Sequence, residues 1–297
     1  MKVVGVIGLG EAGISISAGL AGSGKVSVIG YDIRLAHPPE AGALRAQVDA
    51  LGLPTTDSIE QLVKEADIII SLVTAAAAVS VTEQVAPTLR SSQLYVDANS
   101  ASPTAMQTVA AMIADTGAGF VDLAIMAAVS SRGHRTPMLA SGPDAKTLVD
   151  QLREAGTRIE VVGDQPGAAS AVKMMRSIML KGIEALTLEC VICAEQFGVT
   201  DRVLASLDDS FPTGSWRERA DYLTGRTAQH AARRAEEMEE ASRAVLEVGL
   251  VPLMTAAASK RLGWAADRLG ERFRVHPPAG YKEVVDALLG GLTDEDR

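Results

Sequence analysis

The residues with the clearest chemical potential lie at the amino end, where Gly8-Leu9-Gly10-Glu11-Ala12-Gly13 follows the apolar run Val3-Val4-Gly5-Val6-Ile7. A GxGxxG turn joining a buried strand to a helix suits a pyrophosphate. Gly8 permits the tight turn, Gly10 lets the main chain approach phosphate oxygens, and Gly13 lets the helix pack closely on the strand. The helix start adds unbonded N–H groups and the positive end of its dipole. Asp32 lies 19 residues beyond Gly13, at the end of the next apolar run. A carboxylate there accepts hydrogen bonds from an adenosine ribose and repels a 2′-phosphate, which favours NAD. Arg34 offers the opposite, a guanidinium partner for that phosphate. The expected cofactor is therefore NAD or NADP, with NAD favoured.

Other candidate chemistry is weaker. Cys190 and Cys193 have CxxC spacing, but no second ligand pair and no preceding βαβ unit accompanies them. They read as two small buried helix residues. The four histidines are scattered and form no ligand cluster, so no metal is expected. The run Arg233-Arg234-Ala235-Glu236-Glu237-Met238-Glu239-Glu240 interleaves both signs at helical spacing and reads as a solvated face laced with weak ion pairs.

The elements that must position these groups follow from hydrophobic periodicity. Short apolar runs alternating with amphipathic stretches predict a doubly wound parallel sheet of the Rossmann type. The predicted strands are Val3–Ile7, Val26–Tyr31, Asp67–Ser71, Leu94–Asp97, Phe120–Leu123, Met138–Ala140 and Ile159–Val162. Helices are predicted from Ser102, as N-cap with Pro103 in the first turn, to Ala114, and from Asp144 to Glu154. In such sheets ligands bind at the carboxyl ends of the strands, which singles out Asn99 and Ser100 after one strand and Val73 and Thr74 after the one before it. Strand signals stop after Gly163. Helices are then expected over Pro166–Phe197, Arg226–Val248, Pro252–Leu269 and Tyr281–Leu289, two of them closed by Gly198 and Gly249. The expected architecture is a dinucleotide-binding α/β domain over residues 1–163 and an all-α domain over 164–297.

Bulk properties bound the function. A chain of 297 residues with 47% hydrophobic and 22% charged side chains has apolar surface enough for about two globular domains. Its formal charge of −9 argues against nucleic acid as a partner. Glycines interrupt the first apolar run before it reaches signal-peptide length, and no later stretch approaches 18 apolar residues. The expectation is a cytoplasmic protein that meets no membrane.

Four segments, in matching order, resemble the β-hydroxyacid dehydrogenase superfamily, which includes 3-hydroxyisobutyrate, tartronate semialdehyde and 6-phosphogluconate dehydrogenases. They are Gly5 to Gly13, Val96-Asp97-Ala98-Asn99-Ser100-Ala101-Ser102-Pro103, Val121-Asp122-Leu123-Ala124-Ile125-Met126, and Gly163 through Pro166-Gly167-Ala168-Ala169-Ser170 to Lys173. The resemblance implies a nicotinamide-dependent oxidoreductase acting on a small hydroxy acid or a related alcohol or carbonyl compound. It places the catalytic acid/base on Lys173, in a helix that joins two domains. An ammonium at that point can protonate the oxygen of a carbonyl being reduced, and the neutral amine can accept the proton in the reverse direction. The family's substrate-holding Ser-Gly-Gly run is Met126-Ala127-Ala128 here, and its asparagine four residues after the lysine is Ser177. The carboxyl-terminal half is similar to a phosphogluconate-dehydrogenase-like subgroup with undefined substrates, which adds Arg176 and His230 to Ser177 as expected substrate contacts. The resemblance also implies a homodimer formed through the helical domains. Two rival readings stand beside this one: an imine reductase of the same architecture, which Lys173 argues against, and a dinucleotide-binding sensor without catalysis.

Overall fold

A computed structural model describes residues 1–36, 40–196, 198–210, 214–247 and 251–290. The chain divides into two compact units, Met1–Met174 and Met175–Arg297.

In the first unit the described residues form seven strands, β1 (Lys2–Ile7), β2 (Val26–Tyr31), β3 (Ile68–Ser71), β4 (Leu94–Asp97), β5 (Gly119–Ile125), β6 (Met138–Ser141) and β7 (Ile159–Gly163). They make one sheet in the order β2-β1-β3-β4-β5-β6-β7. Strands β1 to β5 are parallel, as expected, but β6 runs antiparallel to β5, and β7 is parallel to β6. The expected doubly wound sheet is present and mostly parallel, with β5–β6 its antiparallel pair. The cause is local: residues 126–137 connect β5 to β6 without an α-helical crossover, and only a crossover returns the chain to start a parallel neighbour.

Helices cover both faces. Apolar residues of β3 alternate, with Ile68 and Ile70 packed on one side and Ile69 on the other. The first face meets α1 (Glu11–Gly22), α2 (Glu40–Ala50) and α6 (Ala145–Leu152) through Ile16, Leu20, Val48 and Leu148. The second meets α3 (Ile59–Glu65), α4 (Ala78–Val85) and α5 (Pro103–Ala114) through Leu62, Val81, Met106 and Ile113. Ser102 caps α5 as expected, its hydroxyl accepting from the Ala105 N–H.

A 29-residue helix, α7 (Ala168–Gln196), begins in the first unit and runs into the second. Cys190 and Cys193 stand on it, but their side chains lie outside the described ones, as do Phe197, Val248 and Gly249 altogether. The second unit continues with α8 (Thr200–Ser210), α9 (Trp216–Glu247), α10 (Leu253–Leu269) and α11 (Tyr281–Leu289). The sequence reading missed α8 and started α9 ten residues late. Helix α9 departs from helical backbone at His230 (φ −139°, ψ 20°). Small alanine-rich clusters hold these helices together, such as Ala228, Ala231 and Ala265 with Leu269, Phe273 and Leu288. Among the described residues no helix is long and apolar enough to cross a membrane.

Candidate active site

The sheet order reverses between β1 and β3, so the loops after these two strands diverge and leave a crevice at their carboxyl ends. The glycine turn occupies that point, and its three glycines differ in what their missing side chains allow. Gly8 sits at φ +95°, and a Cβ on it would approach the Leu72 carbonyl oxygen to 2.4 Å. A Cβ on Gly13 would lie 1.9 Å from the Gly8 carbonyl oxygen. Both are required by the fold itself. A Cβ on Gly10 meets nothing within 4 Å. Gly10 is the N-cap of α1 and supplies no side-chain cap, so the first-turn N–H groups of Glu11, Ala12 and Gly13 have no capping side chain. The residues present therefore fit a dinucleotide pyrophosphate, with Gly10 as the position that the ligand rather than the fold demands.

Asp32 follows β2 and is buried, with 6% of its surface exposed. Its Oδ2 accepts from the Leu9 N–H at 2.7 Å and from Arg34 Nη2 at 2.7 Å, while Oδ1 accepts from the Arg34 N–H and Nε, both at 2.9 Å. Burial pushes this carboxyl up, but the bonds from Arg34 and Leu9 outweigh it and hold the pKa below its ordinary value. Asp32 and Arg34 form one charge-compensated unit beside the glycine turn.

The loops after β3 and β4 are tied by Asn99. Its Oδ1 accepts from the Val73 N–H at 2.7 Å, its Nδ2 donates to Ser71 Oγ at 3.0 Å, and its own N–H donates to Asp97 Oδ1 at 2.9 Å. With 3% exposure, Asn99 shapes the crevice wall through Val73, while Thr74 beside it is exposed. Next to Asn99, Ser100 Oγ accepts from Lys173 Nζ at 2.6 Å. Lys173, on the second turn of α7, is half-buried.

A polar row underlies this pair. Ser71, Asp97, Asp122 and Ser141 stand in register on four adjacent strands, and all are fully buried. Burial pushes the Asp97 carboxyl up to about 7, the neighbouring Asp122 charge adds to this, and the Asn99 bonds oppose it. Asp122 accepts from Ser141 Oγ and from the first turn of α7. The sequence reading quoted Asp122 without giving it a role and passed over Ser141. The available signal was an acid in the middle of an apolar strand, where a carboxylate must find donors.

Of the expected substrate contacts, Met126 is half-buried and Ala127 and Ala128 are exposed in the loop after β5. In the helical unit Ser177 is buried and accepts from Lys181 Nζ at 3.3 Å, Arg176 is exposed on α7, and His230 is exposed at the break in α9. The charge run on α9 is only in part the solvated face it resembles: Arg233, Glu236 and Glu239 are exposed, and Arg233 pairs with Glu237 one turn on, but the run also turns inward. Arg234 is 2% exposed and paired with the equally buried Glu184 of α7, and Glu237 accepts from Lys181 at 2.8 Å. Among the described residues no group of three or more His, Cys, Asp or Glu side chains is arranged to hold a metal.

Residues 3–163 match the NAD binding domain of 6-phosphogluconate dehydrogenase. The chain belongs to the β-hydroxyacid dehydrogenase superfamily. Its nicotinamide-binding region thus coincides with the sheet, the glycine turn and the crevice just described. Residues 194–264 match a domain of unknown function, DUF1932. A conserved hypothetical protein from Sinorhizobium meliloti 1021 is 36% identical, covering 97% of this chain and 96% of its own, with a TM-score of 0.78. The conserved protein MTH1747, described as structurally similar to 3-hydroxyacid dehydrogenases, is 31% identical over 89% of this chain and 97% of its own, with a TM-score of 0.72. The 3-hydroxyisobutyrate dehydrogenase of Mycobacterium tuberculosis, solved with L-serine, shares the fold at 21% identity, 97% and 99% coverage and a TM-score of 0.74.

Proposed function

We propose that this superfamily member is an NAD- or NADP-dependent dehydrogenase or reductase acting on a small hydroxy acid or a related alcohol or carbonyl compound, with Lys173 as acid/base. The observation that carries the reading is the 2.6 Å bond from Lys173 Nζ to Ser100 Oγ. It sets an amine, a side chain suited to give and take a proton at a reacting oxygen, in the loop layer that follows the carboxyl ends of the strands. A bound nicotinamide would supply the hydride acceptor or donor, its pyrophosphate held by Gly8, Leu9, Gly10, Glu11, Ala12 and Gly13. Asp32 and Arg34 flank the adenosine end, and Val73, Thr74, Asn99 and Ser100 form the remaining wall. On reduction the Lys173 ammonium protonates the new alkoxide, and on oxidation the neutral amine takes the hydroxyl proton. Ser100 holds the amine in place between these events.

With Met126-Ala127-Ala128 in place of Ser-Gly-Gly, these three positions carry no side-chain hydroxyl, so polar recognition of the substrate falls to Arg176, Ser177 and His230. The helical unit, residues 164–297 in this reading, holds substrate and joins two copies of the chain. Support for a dimer comes from the exposed apolar stripe Val172, Met175, Met179, Leu180, Ile183 and Leu186 on α7.

A turnover screen of 2- and 3-hydroxy acids, their oxo forms and cyclic imines tests the assignment. Lys173→Ala should bind the dinucleotide normally by fluorescence titration, yet lose about 10²–10⁴-fold in turnover of the accepted hydroxy or oxo acid. Gly10→Val should leave folding intact and abolish dinucleotide binding. Wild-type turnover by Lys173→Ala, turnover confined to imines, or dinucleotide binding without any change in nicotinamide absorbance would each overturn it.

A further inference from the structure

Asp122 lies in the middle of β5 with no exposed surface. A carboxylate offers about four acceptor positions over its two oxygens, and here it accepts four bonds, three of them on Oδ2. Oδ2 accepts from Ser141 Oγ at 3.0 Å, from the Gly167 N–H at 3.1 Å and from the Ser170 N–H at 3.1 Å, and Oδ1 accepts from Ser170 Oγ at 2.7 Å. Ser141 Oγ in turn accepts from the Ala169 N–H at 3.0 Å. Three N–H groups at the start of α7, which a helix leaves without internal partners, are thus bound by one carboxylate and the hydroxyl it holds. The carboxylate also faces the positive end of the helix dipole. From the other side, Gly167 at φ +93° presses against α5, and a Cβ there would lie 2.8 Å from the Pro103 carbonyl oxygen. The first turn of α7 can neither slide nor rotate without breaking these contacts.

We propose that Asp122, acting through Ser141 and the first turn of α7, is the positioning residue of Lys173. Lys173 follows Ser170 by three residues, just under one helical turn. Its four side-chain torsions make the amine's location depend on where its Cα is held, and the 2.6 Å bond to Ser100 requires that Cα to be fixed. A displacement of about 1 Å in such a group lowers turnover roughly 10²-fold. Asp122 is wholly buried and its acceptors are engaged, so it acts through the helix and does not touch substrate. This inference rests on Lys173 being the acid/base.

Competitive acetylation of the full-length protein with acetic anhydride, read by mass spectrometry, follows the amine without needing the substrate. In Asp122→Asn, at temperatures where circular dichroism shows it folded, Lys173 should acetylate about tenfold faster than in wild type, while exposed Lys64 and Lys282 are unchanged. On the substrate identified by the screen, kcat should fall about 10²-fold with KM held within about threefold, and Asp122→Glu, one methylene too long, should not restore it. If Asp122→Asn fails to fold, Ser141→Ala removes the Ala169 acceptor and one donor to Asp122, leaves the Gly167 and Ser170 bonds to the carboxylate, and should raise Lys173 acetylation about two- to threefold. Unchanged Lys173 acetylation in folded Asp122→Asn or in Ser141→Ala overturns the inference. Full turnover by Lys173→Ala overturns the catalytic assignment instead, and the acetylation result stands apart from it.

Discussion

The two units bury polar side chains in different ways. In the sheet unit a row of short buried polar groups, Ser71, Asp97, Asn99, Asp122 and Ser141, bonds within itself and to main-chain N–H groups at loop and helix starts. In the helical unit buried hydroxyls such as Thr224 and Ser259 donate to helix carbonyls, while the charged groups pair side chain to side chain between α7 and α9, the buried Arg234 with Glu184 and the half-buried Lys181 with Glu237. A group bonded to the main chain fixes where a loop or helix lies, which is what a reaction centre needs. A pair of side chains fixes which helices match, and the same matching can be achieved by apolar residues of equal volume.

The largest expected effect breaks that contrast on the helical side. Arg234→Met leaves Glu184, 2% exposed, with Arg226 at 3.9 Å but without its direct partner, and should cost toward the lower end of roughly 3–5 kcal/mol in urea denaturation. Glu184→Leu combined with Arg234→Met should return to within about 1 kcal/mol of wild type, because no charge is then stranded. An additive loss in the double variant would show that the pair, like the Asp122 contacts, fixes backbone position.

On the sheet side the corresponding probe is Asp97. Its carboxyl titrates near 7 in the folded chain, because burial and the Asp122 charge disfavour ionisation, against an ordinary value of 3.8. The folded state therefore holds a proton that the unfolded state has released between these two values. Stability should fall as pH rises from about 4 to 7 and level off above 7. Asp97→Asn removes this dependence, so the variant should gain on wild type by about 1–4 kcal/mol at pH 8 and not at pH 4. Thermal unfolding of both proteins at the two pH values checks it, and parallel pH dependence would place the titrating group elsewhere.

The same contrast explains what the sequence made legible. Every strand was found to within one or two residues, because β-rich apolar runs between glycine and helix signals read directly, and Ser102-Pro103 marked the start of α5. The glycine turn was legible because at Gly8 and Gly13 the main chain comes too close for any side chain. The direction of β6 was not, since Met138-Leu139-Ala140-Ser141 reads the same up or down and only the missing crossover decides it. Arg234 was misread because charge alone was weighed. At i−3 and i+4 from Arg234 stand Ala231 and Met238, both buried, and that apolar row already placed the arginine on the packed face. Asp122 and Ser141 lie 19 residues apart and meet only through strand pairing, which no local pattern encodes.

The smallest expected effect concerns Asp32 and Arg34, where the sheet unit uses a side-chain pair of the kind found in the helical one. As a bare carboxylate Asp32 would attract a ribose diol and reject a 2′-phosphate, but its four acceptor positions are filled by Leu9 and Arg34. On the proposed binding mode, Arg34 should offset the discrimination that Asp32 alone would give and bring NAD and NADP closer in affinity. Arg34→Ala frees one acceptor position on each carboxylate oxygen and leaves the Leu9 bond intact. The ratio of dissociation constants should then move about tenfold toward NAD, equal to about 1.4 kcal/mol, with most of the change in weaker NADP binding. Paired titrations of wild type and variant with both dinucleotides measure this. An unchanged ratio would mean that the Asp32–Arg34 pair only braces the glycine turn through Leu9, and that selection of the adenosine end lies with other residues.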